Sequence, residues 1–464
     1  MVIRTYPQVP SEDPDGPPGA GSGGSAPPPG DGSPDEGYPG GDGSVRGDGS
    51  LRGDGSLRGD GSVRGDGSRG LLSAVVLAAG EGTRMRSARP KPLHRLCGRP
   101  MVLHVLDALA QLSVARVVVV VGHRAEWVTK TLIEHAPPGM AIEFVEQVEQ
   151  RGTGDAMAVA LTGLPDDEGD DDGDVVVLPG DTPLLRPATL AALVRHHRSG
   201  DNAATLLTAE LDDPSGYGRV VRGRDDSVAR VVEHVDATDE ELEVHEINTS
   251  IYCFRRSVLA PSLRRLHPAN AQGEHYLTDV VGVLYEAGHK VGSVLVGDTM
   301  EVAGVNDRAQ LAVAEAELRD RINERWMRRG VTMWDPERTY IDVDVEIDPD
   351  VVMLPGVILQ GACVIGAQAE LGPDVHLVDT VVGEGAVVAS SVGRRSIIGA
   401  NSRVGPFAVL AEGTELVPGS VVGPWSGAAG DAGSGGATGD AGAGGATGDA
   451  GGGGATGDAG GGKK

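Results

Sequence analysis

The sequence predicts an α/β chain: a doubly wound, Rossmann-like parallel sheet, then a short left-handed parallel β-helix, with disordered Gly-rich tails. Three observations lead there. Short apolar runs alternate with helically spaced segments from Leu71 to Arg329. From Ile347 onward, aliphatic residues recur every six positions. Glycine, 72 of 464 residues, gathers towards both ends, where apolar side chains are too sparse to offset the entropy of ordering.

Residues 1–69 repeat GDGSVR or GDGSLR from Gly41, Gly47, Gly53 and Gly59. They read as a disordered tail rather than a calcium-binding β-roll, because the arginine in each repeat opposes a bound cation. Order begins at Leu71, where LLSAVVLAA reads as a buried strand. Met101, Val102, Val105, Leu106, Leu109 and Leu112 follow helical spacing, and RVVVVVG at 116–122 is a second buried strand. Helical stretches follow near 124–135 and 154–164, with VVVL at 175–178 a third strand and Pro187–Arg198 a helix. Shorter strands between Ala203 and Phe254 suggest an antiparallel insertion. Helices return at 276–287 and 306–329. The acidic run DDEGDDDGD at 166–174 reads as a solvated loop, with a metal site the lesser alternative.

After Thr339 the texture changes. Ile347, Met353, Leu359, Ile365, Leu371 and Leu377 keep a period of six; Val382 and Val388 continue it after one shift. After an insertion, Ile398, Val404, Leu410, Leu416 and Val422 resume it. Gly366, Gly372, Gly383, Gly399 and Gly405 each follow an aliphatic by one. This is the hexapeptide pattern of a left-handed β-helix of about four coils. Residues 425–464 repeat ATGD and read as a second disordered tail.

The chain carries 40 Lys+Arg and 67 Asp+Glu, a net charge of −27. That argues against broad binding to nucleic acid or an anionic membrane. No apolar run approaches the ~20 residues of a spanning helix, and no signal peptide is readable at the start. Three scattered cysteines, Cys97, Cys253 and Cys363, exclude a disulfide framework and fit a reducing cytoplasm.

LAAGEGTRMRSARPKPL, Leu77 to Leu93, is the first informative site. A glycine turn after a buried strand lets backbone amides approach phosphates, and Gly80 and Gly82 lack an obstructing Cβ. Arg84 and Lys91 add positive charge. Gly180-Asp181 ends the strand VVVLP, and a carboxylate there lies at the ligand crevice of an open parallel sheet. Its bland reading is a turn or N-cap Asp; its functional reading is a Mg²⁺ ligand. Gln147 with Gly152-Thr153 has the make-up of a base reader. Gly216-Tyr217-Gly218-Arg219 reads equally as a hairpin turn. Glu233 and Asn248 lie on predicted strands and could face solvent; Asn306 opens a long helix and could be its N-cap. The twelve histidines show no metal-ligand spacing.

LAAGEGTRM, PKPLH, EQRGTGDAM, GDTPLL, DDPSGYGR, VVEHVDATDEE, EINTSIY, NAQGEHYLTDVV, GVNDRAQL and VGPFAVL together resemble one family. It is the bacterial bifunctional N-acetylglucosamine-1-phosphate uridyltransferase / glucosamine-1-phosphate acetyltransferase family, and the match runs from about Ala74 to Leu416. The resemblance implies transfer of uridylyl from UTP to N-acetylglucosamine 1-phosphate with release of pyrophosphate, for cell-wall precursor synthesis. It implies that the backbone of Leu77, Ala78, Ala79 and Gly80, with Lys91, contacts nucleotide phosphates. Gln147, Gly152 and Thr153 would read uracil, and Pro179 and Gly180 would belong to the substrate site. Gly218, Glu233 and Asn248 would hold the acetylated sugar, and Mg²⁺ would sit between Asp181 and Asn306. Arg84 matches the catalytic arginine, and Lys91 shares its task.

The expected organisation is a tail over 1–69, a nucleotidyltransferase domain over 70–305, a linker helix over 306–338, a truncated β-helix over 339–424 and a tail over 425–464. Two departures stand out. Family members read EINTG where this chain has Ser250. They read Leu-Arg-Pro-Gly where it has Leu410-Ala411-Glu412-Gly413, and nothing after Val422 resembles the acetyltransferase residues. Acetyltransferase activity is therefore expected to be lost. The β-helix in such proteins packs three chains, so a homotrimer is expected. The alternatives are another sugar-1-phosphate nucleotidyltransferase, or a non-catalytic β-helix protein with a relic nucleotide domain.

Overall fold

A computed structural model describes residues 70–164, 173–224, 226–268 and 270–424, and the backbone of 427–428. The two Gly-rich repeat segments, apart from Gly427–Ala428, and most of the acidic run lie outside these residues. The chain divides into two compact units, one containing residues up to Arg329 with Pro336–Val345, the other Gly330–Asp335 with Glu346 onward.

The first unit is built on a nine-stranded sheet. Its strands in chain order are β1 (Leu72–Ala78), β2 (Val114–Val121), β3 (Ile142–Glu146), β4 (Asp174–Pro179), β5 (Ala204–Glu210), β6 (Arg219–Arg222), β7 (Val228–Val232), β8 (Glu246–Arg255) and β9 (Val291–Leu295). The order across the sheet is β9-β5-β8-β4-β1-β2-β3, with the β6–β7 hairpin joined to β8. β4, β1, β2 and β3 run parallel, and β8 runs antiparallel to both β4 and β5. The helices of eight or more residues are α1 (Met101–Ala110), α2 (Ala125–His135), α3 (Thr153–Ala160), α4 (Pro187–Ser199), α5 (Arg256–Leu263), α6 (Asp279–Glu286) and α7 (Arg308–Arg328).

The unbroken valines of β2 follow from this layering. Val117, Val119 and Val121 pack into the core on one face of the sheet, and Val118 and Val120 into the core on the other. With both faces covered by helices, no position of the strand needs to be polar. Periodicity alone missed three pieces. IEFVE (β3) is a short edge strand, VGSVL (β9) is only half-buried, and α5 carries Pro261 within the helix, so each has a weak local signal. The helix expected over 276–287 begins only at Asp279. α7 carries few apolar residues, and it is held by Ala314, Leu311 and Leu318 packing on Leu96, Met101, Leu184 and Val305.

The second unit consists of two- and three-residue parallel strands stacked into three sheets. One runs Thr332–Met333, Val352–Met353, Glu370–Leu371, Val387–Val388, Arg403–Val404, Val421–Val422. A second includes Ile358–Gln360, His376–Val378, Val392–Arg394, Val409–Leu410 and Gly427–Ala428. The third runs Glu346–Ile347, Val364–Ile365, Val381–Val382, Ile397–Ile398, Glu415–Leu416. Within the paired strands the second residue faces inward, as Met353, Leu371, Val388, Val404 and Val422 do. The structure contains no insertion after Val388. Gly393 pairs with Leu377 and takes an aliphatic's place in the stack, where a Cβ would lie 3.3 Å from Leu377 Cδ2 and 3.5 Å from Leu410 Cδ1. Some sides of the coil have five residues instead of six, which shortens the repeat without breaking it.

Candidate active site

The carboxyl ends of β1, β3 and β4 open onto a cleft of about 600 Å³. Its first wall is the loop after β1. Gly82 has φ +63°, and a Cβ there would lie 2.5 Å from Lys91 Cβ, so glycine is needed for the lysine stem to pass. The Lys91 ammonium forms an ion pair with the Asp181 carboxylate and donates to Asn306 Oδ1 at 2.7 Å. Arg84 Nη2 donates to the same oxygen at 3.0 Å. Asp181 is placed by the end of β4: Gly180 N–H donates to Leu77 O at 2.9 Å, and Val305 N–H donates to Asp181 O at 2.9 Å. The N-cap of α7 is Asp307, whose side chain accepts from Gln310 N–H at 2.9 Å. The capping role that the sequence allowed for Asn306 thus belongs to its neighbour, and the Asn306 amide turns into the cleft.

The second wall is the β3–α3 loop. Gln147, 5 % exposed, donates from Nε2 to Gly152 O at 3.1 Å and to Asp155 Oδ2 at 2.9 Å. Gly152 has φ +101°, and a Cβ there would lie 2.5 Å from His275 O. Thr153 Oγ1 accepts from Leu277 N–H at 3.0 Å. Gln150 Nε2 donates to Ala79 O at 2.7 Å, tying this loop to the one after β1.

The third wall comes from β8, the turn after β7 and the segment before α6. Asn248 Nδ2 donates to the Tyr252 hydroxyl at 2.7 Å, and Asn248 N–H donates to Gly218 O at 2.8 Å. Glu233 Oε1 accepts from Thr278 Oγ1 at 3.0 Å. Burial pushes the Glu233 carboxyl above its ordinary pKa, with Asp279 and Asp236 reinforcing it and the Thr278 hydrogen bond opposing. Burial also pushes the Tyr276 phenol up to about 12, with Asp236, Glu233 and Glu274 adding to it. That phenol stays neutral and able to donate near pH 7. Ser250 sits at φ +61°, where the pairing of β8 with β5 breaks between Asn248 and Tyr252. Its N–H donates to Asn248 Oδ1 at 3.3 Å.

Leu77, Ala78, Ala79, Gly80, Lys91, Gln147, Gly152, Thr153, Pro179, Gly180, Asp181, Glu233, Asn248 and Asn306 all line this cleft. Two of the candidate residues do not. Arg84 approaches through Asn306, and Gly218 stands behind Glu233, where a Cβ would lie 3.4 Å from Glu233 Oε2. The structure adds Gln150, Tyr252, Tyr276 and Thr278 to the lining. Tyr276 and Thr278 fall within NAQGEHYLTDVV, a run whose individual roles have no local signature. Among the described residues no group of three or more His, Cys, Asp or Glu is placed to hold a metal ion. Cys97, Cys253 and Cys363 are buried and form no disulfide among the described residues, and no helix among the described residues is long and apolar enough to cross a membrane.

A glycine-turn loop with a lysine and an arginine, facing a carboxylate at the end of a parallel strand, fits a nucleotidyltransferase, and similarity to known proteins places the chain in that class. Residues 74–281 match the family model of the MobA-like NTP transferase domain. The chain is 48 % identical over 354 residues to the bifunctional protein GlmU of Streptomyces avermitilis, covering 76 % of this chain and 72 % of that one. It is 44 % identical over 343 residues to the GlmU of Shouchella clausii, covering 74 % and 73 %. Against the GlmU of Thermobifida fusca it is 48 % identical over 327 residues, covering 70 % and 67 %. The chain belongs to the GlmU family.

Proposed function

We propose that this chain transfers uridylyl from UTP to N-acetylglucosamine 1-phosphate, giving UDP-N-acetylglucosamine and pyrophosphate. The observation that carries the reading is the convergence of Arg84, Lys91, Asp181 and Asn306 at one end of a cleft, with Gln147 and the Glu233–Asn248 pair lining its other parts. The sugar phosphate attacks the α-phosphorus and pyrophosphate leaves. A phosphate monoester with a second pKa of about 6 is largely dianionic at neutral pH and needs no general base. The protein's task is alignment and charge neutralisation. Backbone groups of Leu77–Gly80 approach the nucleotide phosphates, and Lys91 and Arg84 offset charge on the attacked and leaving groups. Gln147, Gly152 and Thr153 read the base, while Glu233, Asn248 and the Gly218 turn hold the acetylated sugar.

Asp181 and Asn306 fit a hard divalent cation, Mg²⁺: their side-chain oxygens already share one cationic group, the Lys91 ammonium, and both are the oxygen donors that Mg²⁺ takes. Bound there, the ion would neutralise and orient phosphate oxygens.

Loss of the acetyltransferase reaction is part of the proposal. Ala411 and Glu412 replace the family's Arg-Pro, and Glu412 forms an ion pair with Arg395, so a positive position has become neutral beside an acid. Packing of three chains through the β-helix is supported by Val364, Val381 and Ile397. They stack in register on one outward face and are 40–45 % exposed. A monomer by light scattering would refute it. A cytoplasmic location accords with three cysteines that form no disulfide among the described residues.

The test is Mg²⁺-dependent pyrophosphate release from UTP with N-acetylglucosamine 1-phosphate, glucosamine 1-phosphate or glucose 1-phosphate, the second also with acetyl-CoA. Release with the acetylated sugar alone is expected. Release with glucose 1-phosphate would change the substrate, release with none would indicate a relic site, and rescue by acetyl-CoA would overturn the loss of the second activity.

A further inference from the structure

We propose that Asp155 is the positioning residue that makes the cleft select uracil over cytosine; this rests on Gln147 facing the base. The argument starts from which end of the Gln147 amide points where. Two groups meet one end of it: Gly152 O at 3.1 Å and Asp155 Oδ2 at 2.9 Å. A backbone carbonyl and a carboxylate only accept hydrogen bonds. The end facing them is therefore the NH₂, because an oxygen there would meet two acceptors. Both protons of Nε2 are spent. Oε1 has no partner among the described residues, and Gln147 lines the cleft, so what it offers a ligand is an acceptor.

An acceptor at that point matches the N3–H of uracil. It opposes cytosine, whose N3 is itself an acceptor, and a buried polar mismatch costs more than an absent contact. Without Asp155 only Gly152 O holds the amide, and Gln147 can turn Nε2 to the base. A carboxylate suits this task better than an amide, since it has no donor with which to stabilise the flipped form. Asp155 lies in the first turn of α3, where a carboxylate also favours the helix dipole. That effect alters stability but not base preference.

The experiment compares kcat/KM for UTP and CTP, with N-acetylglucosamine 1-phosphate and Mg²⁺, in the full-length enzyme and its Asp155→Ala, Asp155→Asn and Gln147→Ala variants. The UTP:CTP ratio is expected to fall about tenfold or more in Asp155→Ala, with KM for the sugar phosphate unchanged. Asp155→Asn, which can present an oxygen to Nε2, should recover much of the ratio while remaining below the native enzyme. If Asp155→Ala fails to fold, Asp155→Asn decides: a lowered ratio supports the proposal and an unchanged one overturns it. A native ratio in folded Asp155→Ala overturns it too. A lowered ratio in Gln147→Ala beside a native one in the Asp155 variants rejects only the role of Asp155. A native ratio in Gln147→Ala rejects the reading of Gln147 and the proposal with it.

Discussion

Replacing Lys91 with Ala separates chemistry from folding. The ammonium is a single preorganised charge between Asp181 and Asn306, beside the loop proposed to receive phosphates. Removing one such donor from a developing charge costs about 2.7–4 kcal/mol, or about 10²–10³ in kcat, at 1.36 kcal/mol per tenfold. The effect on stability should be small. The Lys91 and Asp181 side chains are 14 % and 22 % exposed, so water can reach the carboxylate left behind, and Arg84 still donates to Asn306. An ion pair that solvent reaches contributes up to about 1 kcal/mol, which lowers Tm by about 2–4 °C for a domain of this size. Pyrophosphate release gives kcat, and differential scanning fluorimetry gives Tm. A kcat within about threefold of native would refute the assignment. A Tm fall beyond about 8 °C would show that Lys91 acts mainly through structure.

Three other substitutions test neighbouring parts. Gly82→Ala places a Cβ 2.5 Å from Lys91 Cβ at φ +63°; it should cost about 1–2 kcal/mol and lower kcat by displacing Lys91, read by denaturant melts and turnover. Tyr252→Phe leaves Asn248 Nδ2 without its hydroxyl acceptor in a buried setting. It should cost about 1–3 kcal/mol and raise KM for the sugar phosphate more than KM for UTP. Glu233→Gln tests the raised carboxyl pKa, caused first by burial and then by Asp279 and Asp236. The folded-state pKa lies above the unfolded one, so stability at this site is complete below the ordinary carboxylate pKa and falls as pH rises through the folded value. The Tm gain of Glu233→Gln over native should therefore widen from pH 4 to pH 8, while its KM for the sugar phosphate rises; a gain that shrinks with pH would contradict the cause.

Features that depend on neighbours along the chain were legible in the amino-acid order. Continuous valines announced β2 because both its faces are covered, and the six-residue period announced the coils of the second unit because each short side contributes one inward aliphatic. The glycine turn was legible because a strand, Gly82 and Lys91 lie within one short segment. Tertiary structure decided what depends on residues far apart. Arg84 and Asn306 are 222 positions apart and share a hydrogen bond; only the sheet order places them together. The break in the six-residue period between Val388 and Ile398 reads as an insertion, whereas the pairing of Gly393 with Leu377 gives that segment an inward place in the coil. The direction of the Gln147 amide was invisible too, because the two ends of an amide differ only in the partners that the fold sets around them.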